Sequence, residues 1–213
     1  MNKIKHLANS CIILMKAILK EVLKISIFFL IITIAFSAFQ NVIIRLHEED
    51  NERFLGPFRL LLSYFTYMIA NFFIPYLNIS LKKQMCLGAL CHTLNYSTGI
   101  YFHYFNYPMQ FFIIGFGSLL SGIADGLLYI AVGRYVHNLC YVYDEIEKKG
   151  SYFGIFAMFS LLSAIFNPVL VTVTLVVFSK DIFFVTLVIL GIMSCLYGIS
   201  FISNIKDSLN EKI

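Results

Sequence analysis

The chain has 213 residues, of which 59% are hydrophobic and 13% are charged, and its mean hydropathy is +0.81. A soluble domain carries about 25% charged residues, so a water-soluble fold has no means of hiding this much apolar surface, and the composition points to an integral membrane protein. The formal net charge of +4 is dispersed among short connections and gives no basic stripe for a nucleic acid.

Residues 1–24 begin basic and then turn apolar, as cleaved signal peptides do. Here Lys16, Lys20, Glu21 and Lys24 interrupt the apolar stretch and no small-residue cleavage site follows. Lys16, Lys20 and Lys24 recur every four residues, while Ile12, Ile13, Leu19 and Leu23 fall mostly elsewhere around the helix. That spacing predicts a basic amphipathic lead-in helix lying at the membrane surface on the cytoplasmic side.

Windows without Asp, Glu, Lys or Arg mark spans once they exceed about 18 residues. They occur at 25–44, 60–81, 84–124, 151–179 and 182–205. Asn106-Tyr107-Pro108 divides the third, because Pro disfavours helical backbone in the residue before it. The result is an all-α polytopic bundle over 25–205 with six spans, at about 25–44, 58–78, 84–104, 109–136, 151–178 and 182–204, and a tail at 206–213. With the N-terminus inside, twelve Lys and Arg fall on the cytoplasmic side and four (Arg45, Arg53, Arg59 and Lys180) on the other. The positive-inside rule then puts both termini in the cytoplasm and the acidic cluster Glu48, Glu49, Asp50 and Glu52 outside.

Lipid offers no partner to a hydroxyl or amide, so polar and small residues within spans mark faces that meet protein. In the first span Thr33, Ser37, Gln40 and Asn41 lie on one side, and in the second Tyr64, Tyr67, Asn71 and Pro75 do the same. Ser118, Gly122 and Gly126 form a small-residue ridge at four-residue steps, with Gly191, Ser194 and Gly198 in the last span; Gly133 and Gly154 join the expected packing positions. Asp125 is an acidic group well inside the fourth span, a candidate proton or cation relay or else a structural hydrogen bond to a neighbouring helix. Arg134, nine residues on, points nearly the opposite way. His92 is expected to be an interhelical hydrogen-bond donor. Ser37, Gln40, Asn41, Tyr64, Asn71, Asp125 and Tyr129 are therefore the candidates for a pathway or a partner-facing surface.

No Ser-His-Asp set, paired carboxylates, phosphate loop or zinc-ligand spacing is present, so no catalysis and no cofactor are expected. Cys86, Cys91 and His92 do not form a metal set, since positions five apart do not share a helix face. The five cysteines avoid the expected outer loops, which argues against a disulfide framework. The triplets starting at Asn78 and Asn95 fall in a cytoplasmic loop and inside a span, where glycosylation does not occur.

In order, Phe36-Ser37-Ala38-Phe39-Gln40-Asn41, then Leu55-Gly56, Tyr64 and Pro75, then Lys83, Met85, Leu87 and Gly88 form a series of short motifs. Leu127-Leu128-Tyr129, Gly133-Arg134-Tyr135, Tyr152-Phe153-Gly154-Ile155-Phe156 and Asn167 continue it. The series resembles the UNC-93-like proteins, a branch of the major facilitator superfamily, over residues 25–205, with Tyr129 where that family usually has Trp and Asp125 where it has a small residue. The resemblance implies the first six-helix half of a twelve-span architecture, itself two three-helix units of inverted topology. It also implies a role as regulatory or trafficking partner of another membrane protein such as an ion channel. The other expectation is a half-size carrier of a small solute or ion that pairs with a second copy and uses Asp125. The expected partners are the lipid bilayer and another membrane protein or a second copy of the chain.

Overall fold

The computed structural model describes residues 2–49, 54–101, 104–105, 107–143 and 146–202. The tail at 206–213, the acidic side chains at 48, 49, 50 and 52, and Asn106 of the expected turn lie outside the described residues. Six long helices account for almost all of the rest: α1 Asn2–Glu49, α2 Leu55–Phe73, α3 Leu81–Tyr101, α4 Tyr107–Val142, α5 Lys149–Val177 and α6 Lys180–Phe201. Local sequence sets their ends. Pro75 lies in the first turn of a short 3-10 segment, Ile74–Tyr76, that closes α2, Pro108 lies in the first turn of α4, and Ser179 caps α6 by accepting from the Ile182 amide.

No break separates the lead-in from the first span. α1 is one helix of 48 residues, about 72 Å at 1.5 Å per residue, of which Lys16–Arg45 is apolar enough to cross a membrane. The last turns of the lead-in pack on α4. Ile18 and Val22 are fully buried and join an apolar cluster with Val136, Leu139 and Cys140 of α4. Glu21 pairs with Lys24 at 2.6 Å and accepts from the Tyr135 hydroxyl of α4 at 3.3 Å.

Five helices are long and apolar enough to span; α3 is not among them. Its composition explains why. Gln84, His92, Thr93 and Asn95 are buried, whereas Leu87, Leu90, Leu94 and Tyr101 are exposed. The polar face is inside and the leucine face outside, the reverse of a helix on a water-soluble core. α5 and α6 share the pattern: Leu161, Ile165, Val169, Val173 and Val176 point outward, as do Ile182, Val185, Ile189, Ile192 and Leu196, while Asn167, Thr174, Gly191 and Ser194 are buried. An outward apolar surface over buried polar groups is what a hydrocarbon surround requires, and the chain is an integral membrane protein.

Helix pairing follows a regular scheme. α2 packs on α4 and α1 on α5; α4 and α6 both flank α3, and α6 also flanks α1. Exchanging α1 with α4, α2 with α5 and α3 with α6 leaves that scheme unchanged. The crossings are close where side chains are small. A Cβ on Gly122 would strike the Ser63 carbonyl and lie 2.7 Å from the Tyr67 amide of α2. One on Gly126 would sit 2.7 Å from Ile74, and one on Gly191 would strike Thr93 of α3. Ser118 belongs to the same ridge, with its carbonyl accepting from Ser63 Oγ at 3.2 Å. Gly198 faces Phe28 at 3.0 Å.

Gly133 and Gly154 are different: a Cβ on either meets nothing within 4 Å, so neither sits at a close helix crossing. The tight contacts also include three glycines that the sequence did not single out for packing. Gly88 lies against Leu128, Gly99 against Phe184, and Gly117 against Thr98 and Asn95. These contacts predict opposite signs. Gly133→Ala is expected to stabilise by about 0.5–1 kcal/mol through helix propensity, while Gly122→Ala destabilises by about 1–3 kcal/mol through overpacking. Thermal unfolding of the two variants in detergent, against the parent, checks both.

Candidate functional site

His92 and Asp125 form the only acid–base pair buried between the long helices among the described residues. His92 Nε2 lies 3.1 Å from Asp125 Oδ1; the imidazole is fully buried and the carboxylate side chain is 17% exposed. Helix register brings them together. Gly88, one turn before His92, lets α3 close on Ala124 and Leu128 of α4, and Asp125 is the next residue along. His92 stands 11 residues into α3, about 16 Å from its start, which is close to mid-depth for a hydrocarbon layer about 30 Å thick.

The pair sits on a seam. Ile32, Ala89 and Leu128 belong to the cluster toward one end of the bundle, and Ala35 and Tyr96 to the cluster toward the other. Rings hold the imidazole from both sides: Phe36 of α1 lies tilted at 4.9 Å and Tyr96 stacks at 5.9 Å, with its hydroxyl reaching the Ile32 carbonyl at 3.4 Å. Phe29, Ile32, Thr33, Phe36, Leu128 and Tyr129 enclose the pair around a cavity of about 10 Å³, at the lower limit for one water.

The hydrogen-bond inventory fixes what the pair can do. A neutral imidazole protonated at Nε2 donates to the carboxylate and leaves Nδ1 as a bare acceptor. Nδ1 is buried without a partner.

Tyr129 is 49% exposed beside this cleft, its ring 5.3 Å from Phe29 and 6.3 Å from Tyr67 of α2. Tyr64 is 61% exposed and Asn71 half-buried on the same helix as Tyr67. The first-span stripe divides: Thr33 faces the pair, Asn41 is exposed and lines a separate cleft against α5, and Ser37 and Gln40 are half-buried between. Arg134 is not involved; its guanidinium makes a long contact to the Pro75 carbonyl at 3.5 Å. No group of three His, Cys, Asp or Glu converges among the described residues.

A second buried ionic group lies nearer the Arg45 end of the bundle. Arg59, 4% exposed, donates to Asn95 Oδ1 at 3.0 Å and stacks its guanidinium 4.2 Å from the Phe39 ring centroid. No carboxylate of the described residues pairs with it. Counted in the sequence as an outer-side charge, it is in the structure part of the interior. It reads from sequence only as a helix-end cation; burial comes from α3 and α1 closing around it.

No protein-family model, curated protein or solved structure matches the chain.

Two outcomes follow from these side chains. A double-mutant cycle of His92→Gln and Asp125→Asn is expected to give a coupling energy of about 0.6 kcal/mol and at most about 1.7 kcal/mol, the average and maximum of interhelical hydrogen bonds in membranes. Additive effects would remove the pair as an interaction. Arg59→Met is expected to destabilise by about 1–3 kcal/mol, because it leaves the buried Asn95 Oδ1 without its donor. Denaturation of each variant in detergent reads both.

Proposed function

We propose that the chain is a non-enzymatic multi-pass membrane protein of the UNC-93-like kind, with both termini cytoplasmic, that serves as a regulatory or trafficking partner of another membrane protein such as an ion channel. One observation carries this reading: polar side chains stand exposed on helices that are otherwise coated in Leu, Ile, Val and Phe. Tyr64 and Tyr129 are exposed and Asp125 is partly so, within apolar stretches where lipid gives them no hydrogen bond. A protein surface laid against α2 and α4 satisfies them. The exchange symmetry of helix pairing supports the architecture, since six helices built as two equivalent triplets are what one half of a major facilitator fold contains.

The His92–Asp125 pair favours a second reading, a carrier in which two copies of the chain enclose a pathway for a small solute or ion. A carboxylate within a long apolar helix, held by an imidazole of the neighbouring helix and partly open to a cleft, is the kind of charge that marks a solute or ion pathway.

Crosslinking separates these readings. With native cysteines replaced, cysteine at position 64 or 71 is treated with a thiol crosslinker in native membranes. The partner reading predicts a discrete adduct containing one 24.4 kDa chain and a second, different membrane protein. The carrier reading predicts an adduct of two chains, together with solute uptake into vesicles that falls at least tenfold in Asp125→Asn. Adducts no stronger than those from cysteine at outward-facing Leu161 would sink both.

A further inference from the structure

Only one oxygen of the Asp125 carboxylate is answered by the protein. His92 Nε2 meets Oδ1 at 3.1 Å, and among the described residues no hydrogen bond reaches Oδ2. The side chain is 17% exposed, and Oδ2 is not among the polar atoms sealed away without a partner, so it is open to the cleft. No Lys or Arg is set against it: Arg59, the buried guanidinium of α2, turns to Asn95 and the Phe39 ring instead. One hydrogen bond from a neutral imidazole leaves the charge of a carboxylate in place, and a charge at this depth calls for an opposite partner.

The surroundings of that oxygen are aromatic. Phe29 and Phe36 of α1 and Tyr129 of α4 line the small cavity together with the carboxylate. Tyr129 stands one turn after Asp125 on the same side of α4, and its ring meets Phe29 at 5.3 Å and Tyr67 of α2 at 6.3 Å. Tyr64, one turn before Tyr67, is also close enough to Tyr129 to act on it electrostatically. Gly122 allows this by letting α2 close on α4. Thr33 adds a second acceptor: its hydroxyl donates to the Phe29 carbonyl at 2.9 Å, which leaves lone pairs on Oγ1 for a donor in the cavity it lines. The space, about 10 Å³, holds one water-sized group. Beside it Tyr129 and Tyr64 are exposed, so a group seated there can carry a larger body out across their rings.

We infer that this site binds a primary organic amine in its ammonium form, with N–H groups donated to Asp125 Oδ2 and Thr33 Oγ1, the charge among the rings of Phe29, Phe36 and Tyr129, and an apolar body over Tyr129 and Tyr67. An ammonium head is about the size of a water and brings three donors, and aromatic faces attract a cation. A quaternary head has no donor and its methyl groups overfill the space. A metal cation finds two side-chain oxygens where it takes about six. Asp125, bonded to His92 near the middle of α3, lies too deep for the amine of a phospholipid headgroup. The inference rests on the second reading above, in which a small solute enters this cleft; binding itself requires no transport.

The test is isothermal titration calorimetry of the full chain in a non-ionic detergent, at constant ionic strength, with 2-phenylethylamine as the probe. 2-Phenylethanol, 3-phenylpropanoate and the N,N,N-trimethyl derivative of the probe keep the body and change the head. The amine is expected to bind at least about tenfold tighter than each of the three. Asp125→Asn keeps an acceptor for His92 but removes the charge, and is expected to lose at least about tenfold. Tyr129→Leu is expected to lose about 5-fold, and Tyr129→Phe, which restores the ring, to recover most of that loss. Leu161→Ala, facing outward on α5, is expected to match the parent. Equal binding of the alcohol, equal binding of the trimethyl derivative, or unchanged affinity in Asp125→Asn would each overturn the inference. If Asp125→Asn fails to fold, the head-group series on the parent and the two Tyr129 variants decide the outcome. Amine binding without uptake into vesicles upholds the site and removes the carrier, whereas uptake of another solute without amine binding overturns the site and leaves the carrier standing.

Discussion

In a hydrocarbon layer a polar side chain has only protein to bond with, and the arrangement of the whole bundle follows from that constraint on α3. This helix carries Gln84, His92, Thr93 and Asn95 into the interior, and each neighbour is placed by what it offers them. α4 brings Asp125 to His92, and α2 brings Arg59 to Asn95. α6 presents Gly191 to Thr93, whose own hydroxyl bonds the Ala89 carbonyl. The apolar clusters on either side of the His92–Asp125 level then fill the volume left by these contacts. Packing around α3 is thus driven by polar satisfaction and close backbone approach more than by burial of apolar area, which lipid would cover equally well.

The sequence was legible where composition alone decides. Charge-free windows located six helical segments, and Pro75 and Pro108 lie where α2 closes and α4 begins. It was less legible where two helices must be compared. Asp125 and His92 each stood out, but their pairing depends on the α3–α4 register, set by Gly88 against Ala124 and Leu128, which no spacing within one helix reveals. The small-residue ridge of Ser118, Gly122 and Gly126 was visible because its period matches a helix face; Gly117 and Gly99 lack that period and were not. Gly133 shared the composition signal yet faces open space, since a glycine marks a close crossing only if a neighbouring helix is there. Within the lead-in helix expected over residues 1–24, the packing of Ile18 and Val22 on α4 was likewise not readable from the spacing of its lysines.

The interchange of α1–α3 with α4–α6 gives meaning to where the two clefts lie. The small cavity at His92–Asp125 is lined by α1, α3 and α4. The larger cleft lies between α1 and α5, the counterpart of the α2–α4 contact. At the α2–α4 contact Gly122 and Gly126 bring the two backbones close, whereas the α1–α5 contact leaves a cleft at Asn167, Pro168 and Val171.

The polar character of α3 also constrains how the protein is made. Alone among the six, this helix falls short of the apolarity that marks a membrane span by composition. During synthesis α3 emerges before either of the helices that flank it, and α6 is the last to appear. Arg59 of α2 is already made when Asn95 appears, but His92 waits for Asp125 of α4, and Thr93 waits for Gly191 of α6 near the end of the bundle.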